Sequence, residues 1–524
     1  MKTTYSLSNP ARGTKMTLLL AIAVSLAVAP PGRAASPSEL LEQGIYAEET
    51  KGDLDAALQF YKQAVTEAKA ARAVASQAQF RLGVCYYKKK DSAAAIAAFE
   101  QLVRDFPEQK ELAAQAGDYL FRARPLLPAP WVDGEELRLE LKSATGLKYG
   151  SVTLTVDGGE TNGLKLWRLG LRWGCFGPLG EASSRVEVDA QTMRPLRSRW
   201  QGNWDTDIDT GYLRNGAEIR VRGAAEAKHP EWPEAAYDNE ETFQLIRRLP
   251  LATNYSGSLF NAGLNASSGD RFLAPWKLQV TGVEKVQVPA GTYDCFKVKL
   301  STHQTLWYCT DSHRYLVKFE MDGMPGIAEL AAINLRRAGG PVRYQDPEFG
   351  FSLTAPADWV FDRYAGSQTK ALMDFLTQAG LLNPDQARLL STVRDNPRTE
   401  VTLRMLNPGL MSYCEAEVGR LANLDGNARQ SPRAWAEEDI ARATKVLADL
   451  QVRTNSWQEL TAAGEPAVSA LGDYGQGDSK MTAYGVWLFD NTNAVKFYFV
   501  ATPKDFEGSR PTFGALVHSY THSR

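Results

Sequence analysis

His518 and His522 stand four residues apart, the spacing at which one helical face can offer two imidazoles to a metal. They belong to the chain's last stretch, where ends fray, and no metal site is expected from them. Asp205, Asp207 and Asp209 alternate after Trp204 in a way that suggests a calcium loop. Calcium takes about six to eight oxygens at set positions, and the Gly and terminal Glu of an EF-hand are missing here. A solvated strand or loop is the expected reading. Cys295 and Cys309 carry more information. If Ser301, Thr302 and His303 form a hairpin turn, the two cysteines lie directly opposite on adjacent strands, close enough for a disulfide. The other reading is two small hydrophobes on a sheet. The five cysteines are sparse and odd in number, so at least one thiol stays free, and Cys85, among apolar helical residues, is expected in a core. There is no Gly-x-Ser-x-Gly elbow, no Gly-x4-Gly-Lys-Ser/Thr loop, no Gly-x-Gly-x-x-Gly after a strand and no His-Glu-x-x-His helix. Neither catalysis nor a cofactor is therefore expected; an unrecognised hydrolase in the last segment is the remaining catalytic reading.

These residues need elements to position them. Residues 36–124 show helical periodicity: Leu54, Ala57, Leu58, Tyr61, Ala64 and Val65 share one face. Pro125, Pro128 and Pro130 end it. From Trp131 the period becomes two, in runs such as Val152-Leu154-Val156, Leu169-Leu171-Trp173 and Phe296-Val298-Leu300. Many such runs separated by turns predict an antiparallel, strongly curved sheet or open barrel over 131–337. After Ala338-Gly339-Gly340-Pro341, residues 342–524 predict an α+β unit, with helices near 367–379, 384–394, 431–449 and 510–519 and strands at 400–406, 466–474, 481–489 and 494–501. Ser431 with Pro432 is a good helix start.

The 524 residues, 44% hydrophobic and 23% charged, suit a globular chain of about three domains. A formal net charge of −2 gives no long-range attraction for nucleic acid. Lys2, Arg12 and Lys15 precede an apolar run, Met16–Ala29, and Gly32-Arg33-Ala34 places small residues before a cut at Ala35. Residues 1–34 read as a secretory signal peptide, since the run is shorter than the roughly 20 residues of a membrane span. A periplasmic or secreted location follows, with no transmembrane span.

Leu82-Gly83, Tyr86, Ala95, Phe99, Leu102 and Pro107 resemble the tetratricopeptide repeat (TPR) signature, and Leu41, Ala57, Tyr61 and Ala64 match it 38 residues earlier around Gly52-Asp53. Against the usual period of about 34, the second helix of the first repeat is expected to be a turn longer. A third first-helix carries Gly117 in register. The resemblance implies a concave face built from first helices, carrying Glu42, Tyr46, Glu49, Phe80, Val84 and Tyr87. That face is acidic and aromatic and suits a basic or aromatic protein partner; the alternative is that the repeats only dock on the next domain.

Trp131-Val132-Asp133-Gly134-Glu135-Glu136-Leu137, Val286–Cys295, Leu306–Asp311 and Arg314–Lys318 resemble a family of bacterial envelope domains of unknown function. That implies a half-barrel like the lipoprotein carriers. Such a sheet can enclose an apolar ligand or be filled by its own side chains. Trp167, Trp173, Phe176, Trp200 and Trp204 belong either to an exposed patch or to this core. Phe349-Gly350-Phe351-Ser352-Leu353, Pro356–Trp359 and Gly464-Glu465-Pro466-Ala467 resemble the PsbP-like fold, which implies an α/β/α sandwich of binding or accessory type. The sequence therefore predicts a non-catalytic exported scaffold whose TPR segment recruits a protein. The alternative is a periplasmic carrier or sensor of a lipid or other apolar ligand.

Overall fold

The structure is a computed structural model that describes residues 35–522, except 69–70, 124–125, 177–180, 203–205, 214–215, 233–235, 266–267, 322–325, 337–339, 358, 381–398, 407–411, 448 and 476–479. The expected signal peptide, the expected helix at 384–394, Trp204 and Asp205 lie outside the described residues.

Five helices come first: α1 (Pro37–Ile45), α2 (Leu54–Glu67), α3 (Arg72–Lys88), α4 (Ser92–Asp105) and α5 (Lys110–Ala123). Ser36 and Glu39 cap α1 reciprocally, while Asp53 and Asp91 accept N–H bonds from Ala56 and Ala94 to start α2 and α4. After α1 the chain continues through a π-helical turn, Tyr46–Lys51, to the left-handed Gly52. Two glycines let the hairpins close. A Cβ on Gly44 would sit 2.4 Å from the Tyr61 ring, and one on Gly83 would sit 2.6 Å from Phe99. Both α2 and α4 have 14 residues, so the long repeat does not come from a longer second helix, as expected above. The 17-residue α3 carries the extra length.

A fourteen-stranded sheet follows: β1 (Glu135–Ser143), β2 (Lys148–Thr161), β3 (Leu164–Cys175), β4 (Ala182–Asp189), β5 (Pro195–Gly202), β6 (Thr206–Leu213), β7 (Gly216–Val221), β8 (Tyr237–Asp238), β9 (Ser256–Asn265), β10 (Asp270–Val288), β11 (Gly291–Leu300), β12 (Gln304–Cys309), β13 (Leu316–Met321) and β14 (Gly326–Leu335). Its order is β7-β6-β5-β4-β3-β2-β1-β14-β13-β12-β11-β10-β9-β8, antiparallel except for β8 with β9. Period-two alternation is clean in β1, whose Leu137, Leu139 and Leu141 enter the core. Side chains join strands from opposite ends of this order. Arg271 on β10 donates to Ser198 on β5 at 3.0 Å and to Thr210 on β6 at 3.1 Å. Tyr212 on β6 donates to Asp238 on β8. The short helix α6 (Thr242–Arg247) buries Leu245 and Ile246 in the sheet's main core.

The remainder forms β15 (Val342–Asp346) and β16 (Phe351–Ala355), then an eight-stranded antiparallel sheet. Its strands are β17 (Val360–Ala365), β18 (Val401–Leu406), β19 (Ser412–Arg420), β20 (Gln451–Val452), β21 (Gln458–Ala462), β22 (Glu465–Tyr474), β23 (Met481–Phe489) and β24 (Asn493–Ala501). β25 (Thr521–His522) pairs with β16. Among the described residues three helices accompany them: α7 (Thr369–Gln378), α8 (Pro432–Val446) and α9 (Pro503–His518). Alternate residues serve the two faces. Val486, Phe497 and Phe499 share a core with Phe506 and Phe513 of α9, whereas Val468, Ala470 and Trp487 share one with Trp435 and Ala436 of α8. The final helix begins at Pro503, earlier than the expected residue 510, because Thr502 caps it and Phe506 packs 5.5 Å from Phe499. Pro511 lies inside it; buried aromatic contacts on both sides outweigh the lost N–H.

The chain is thus a set of N-terminal helices followed by large, mostly antiparallel sheets, mixed α/β overall. No described helix is long and apolar enough to cross a membrane. Packing crosses the 338–341 segment: Tyr364, Leu372, Met373 and Leu376 join the core of the fourteen-stranded sheet. Asp362, buried on β17, binds Lys148 at 2.5 Å and Arg138 at 3.0 Å. Burial pushes its carboxyl up, but these two cations outweigh that and hold it at about 2.

Candidate functional site

The first helices hold most of the residues expected to bind. Glu42, Tyr46 and Glu49 are exposed along α1 and the π-turn, Tyr46 at 54%. Lys51 sits over the Tyr46 ring at 5.3 Å. Beside them a cavity of about 420 Å³ opens between α1 and α2, lined by Glu39, Glu42, Tyr46, Lys51, Asp53 and Phe60 among others. Three acids, one lysine and two aromatic rings give this surface a net negative, ring-bearing character.

Phe80, Val84 and Tyr87 lie elsewhere. Phe80 and Val84 are buried, and Tyr119 of α5 packs 5.8 Å from Phe80, 5.2 Å from Tyr87 and 5.0 Å from Phe99. These three side chains therefore do not continue an open groove with Glu42 and Tyr46; α5 covers them. Helix α5 in turn meets the sheet, since a Cβ on Gly117 would lie 3.1 Å from the Ser256 hydroxyl.

Sequence reasoning missed Glu48, which stands between the buried Ala47 and the exposed Glu49. Its carboxylate is buried, accepting from Tyr61 at 2.7 Å and pairing with Lys88 at 2.6 Å and Arg81 at 3.3 Å. Burial raises its pKa, but hydrogen bonds from Lys88 and Tyr61 win and lower it. Arg81 also holds Glu49, so the same node fixes the exposed acid. The only sequence signal was an acid falling on the inward side of an amphipathic helix.

The other candidates are now placed. Cys295 and Cys309 are direct partners across β11 and β12, and His303 makes the hairpin turn with φ +63°. Thr310 N–H bonds to Asp294 O, so the adjacent Cys pair occupies the non-hydrogen-bonded position, where side chains approach most closely. Both are buried free thiols, and burial pushes each up to about 12. Cys85 is buried in the helical core. Asp207 and Asp209 do not form a calcium loop: each is neutralised across the sheet, by Arg199 and Arg197 respectively. His518 and His522 do not share a helical face, because α9 ends at His518; His522 sits in β25, 3.6 Å from Glu465. Among the described residues no group of three or more His, Cys, Asp or Glu is placed to hold a metal. The aromatic run divides: Phe176 is buried, Trp167 meets Trp131 edge-on at 6.0 Å, and Trp173 is 36% exposed.

Comparison with known proteins agrees with two of these segments. Residues 77–108, which span most of α3 and α4, match the tetratricopeptide repeat family. Residues 138–331 match a family described as protein of unknown function (DUF3108). No curated protein matches the chain. Similar solved structures include cyanobacterial PsbP (CyanoP) from Synechocystis sp. PCC 6803, at 10% identity over 36% of this chain and 96% of that one, TM-score 0.26. LpqN, involved in cell envelope biogenesis of Mycobacterium tuberculosis, is 10% identical over 36% of this chain and 87% of its own, TM-score 0.21. A β-barrel-like protein of the DUF1849 family from Brucella abortus is 6% identical over 39% and 99%, TM-score 0.27.

Proposed function

We propose that the chain is an exported, non-catalytic scaffold of the cell envelope. The surface of α1 and the following π-turn, with Glu42 and Tyr46 at its centre, recruits a protein partner presenting basic and aromatic side chains. The observation that carries this reading is the exposed acidic-aromatic cavity on a segment adjoining a tetratricopeptide repeat. Such repeats are stacked hairpins that offer extended binding surfaces. Residues 36–124, 131–337 and 342–524 act as three units, of which the second is a curved half-barrel and the third a PsbP-like sandwich. The contacts of Arg271 with β5 and β6 support the curvature, and α8 and α9 on opposite sheet faces support the sandwich. A carrier function for the half-barrel is the second choice, because Leu245 and Ile246 of α6 fill the interior of the curve.

A photo-crosslinking amino acid at position 46, expressed in an export-competent host, tests the recruiting surface. One discrete protein adduct is expected from position 46 and none from position 84, whose side chain is buried. Equal yields from both positions would end this reading.

In an oxidising compartment Cys295 and Cys309 form a disulfide, the compartment's thiol oxidant removing the two thiol hydrogens. The intact mass under non-reducing conditions should then fall by two hydrogens, with Cys295→Ser abolishing the change. An unchanged wild-type mass would contradict it.

A further inference from the structure

Among the described residues β15 pairs only with β16, which leaves its other edge open. Pro341, Val342, Arg343 and Tyr344 border in succession a cleft of about 620 Å³. Successive strand residues point to opposite faces, so the cleft follows the strand's length rather than one face of it. Its far side is the start of β1 and the end of β14. Small-molecule sites of roughly 300–1,000 Å³ favour such junctions between folded units. The walls are largely apolar. Trp359 and Phe361, both buried, form the base, and the Tyr344 ring packs 5.3 Å from Phe361. Val342 and Val360 are half-buried along the sides. At the mouth Leu335 is 69% exposed, the highest value for any large apolar side chain among the described residues.

Three guanidinium groups and one carboxylate line the cleft: Arg138, Arg336 and Arg343 with Glu136. Glu136 and Arg138 point away from the core that holds Leu137 and Leu139, so the cleft lies outside the curve of the fourteen-stranded sheet. Arg336 pairs with Glu136 at 3.4 Å and with Asp157 at 3.0 Å, and Arg138 pairs with Asp362 at 3.0 Å. Asn334 also donates to Glu136, at 3.0 Å. Arg343 differs from the other two. It donates to the Ser352 hydroxyl at 3.2 Å and makes no ion pair among the described residues. The carboxylates nearest to it in sequence, Asp346 and Glu348, are both held by Arg363. The exposed Arg343 fork therefore keeps donors for a carboxylate from outside the chain.

We propose that this cleft binds a small amphiphilic acid, a medium-chain acyl carboxylate. Its chain lies on Val342, Val360 and the rings beneath them, and its carboxylate meets the Arg343 guanidinium. The site is separate from the recruiting surface on α1 and from the interior of the half-barrel, and stands or falls independently of both.

Calorimetric titration of the full chain with decanoate, butyrate and decyltrimethylammonium tests the proposal. Decanoate shares its head group with butyrate and its chain with the ammonium probe. Saturable one-to-one binding of decanoate is expected, at least about tenfold tighter than either of the others. Arg343→Glu alters an exposed side chain, so the fold should survive while decanoate binds at least about tenfold more weakly. The same change should leave the cationic probe no weaker. Leu335→Asp, at the exposed mouth, should also weaken decanoate, and it serves if Arg343→Glu does not fold. Absence of saturable decanoate binding, equal affinity for butyrate or the cationic probe, or decanoate binding untouched in a folded Arg343→Glu chain would each overturn the proposal.

Discussion

Replacing Arg271 with Met is expected to destabilise the fourteen-stranded sheet by about 3–5 kcal/mol, because it strands a buried carboxylate. Arg271 and Asp238 are both fully buried and 3.2 Å apart. The guanidinium spends its other donors on the Ala262 carbonyl at 3.0 Å and on the Ser198 and Thr210 hydroxyls. Loss of the cation would leave Asp238 with neutral donors such as the Tyr212 and Ser198 hydroxyls and no charge partner in this group. It would also release the link between β10 and β5–β6. Urea unfolding followed by tryptophan fluorescence measures the effect. The double variant Arg271→Met with Asp238→Asn should recover part of the loss, since the unpaired charge disappears with it. A single-variant loss below about 1 kcal/mol would mean that water reaches the pair.

The same group sets a pH dependence. Glu241 is buried, and Glu240 half-buried, beside Asp238. Burial pushes the Glu240 carboxyl up to about 8, and the Asp238 charge adds to it. Burial raises Glu241 as well, again with Asp238 second. A carboxyl whose folded pKa stands above its unfolded value of 4.5 takes up a proton on folding. Its stabilising contribution is complete below that unfolded value and is lost as the pH rises through the folded one. Stability should therefore fall between about pH 5 and pH 8, by up to a few kcal/mol. Glu240→Gln, neutral throughout, should flatten the curve and be the more stable chain at pH 8. Unfolding midpoints measured across that range check it, and parallel curves for the two chains would refute the assignment.

What could be read from the sequence was local. The Cys295–Cys309 register followed from one short turn and period-two alternation, and the turn lies where Ser301, Thr302 and His303 suggested it. The turn at Gly52-Asp53 and the close approach at Gly83 follow from short helical hairpins, where neighbours in sequence are neighbours in space. Long-range pairing was not legible. Arg271 meets Ser198 across 73 residues, and no spacing rule links them. Phe80, Val84 and Tyr87 have a periodicity that fits either an open groove or a helix–helix contact, and only the position of Tyr119 decides between the two. The start of α9 was hidden by Pro511, whose usual meaning is a helix boundary; burial of Phe506 and Phe513 overrode it. Glu48 and Glu49 are adjacent acids with opposite fates, set by which side of the π-turn faces Tyr61.

The recruiting surface is the centre of this account, and charge reversal on it is the most direct test. The full chain and its Glu42→Lys, Tyr46→Ala double variant would be used side by side to capture proteins from an envelope extract. Binding of the partner crosslinked from position 46 would then be quantified for each. Both substituted side chains are exposed, so the fold and its unfolding midpoint should be unchanged. The account predicts that partner binding falls at least about tenfold in the variant and weakens with added salt in the wild-type chain. Equal binding by the two chains, with the same salt response, would contradict it.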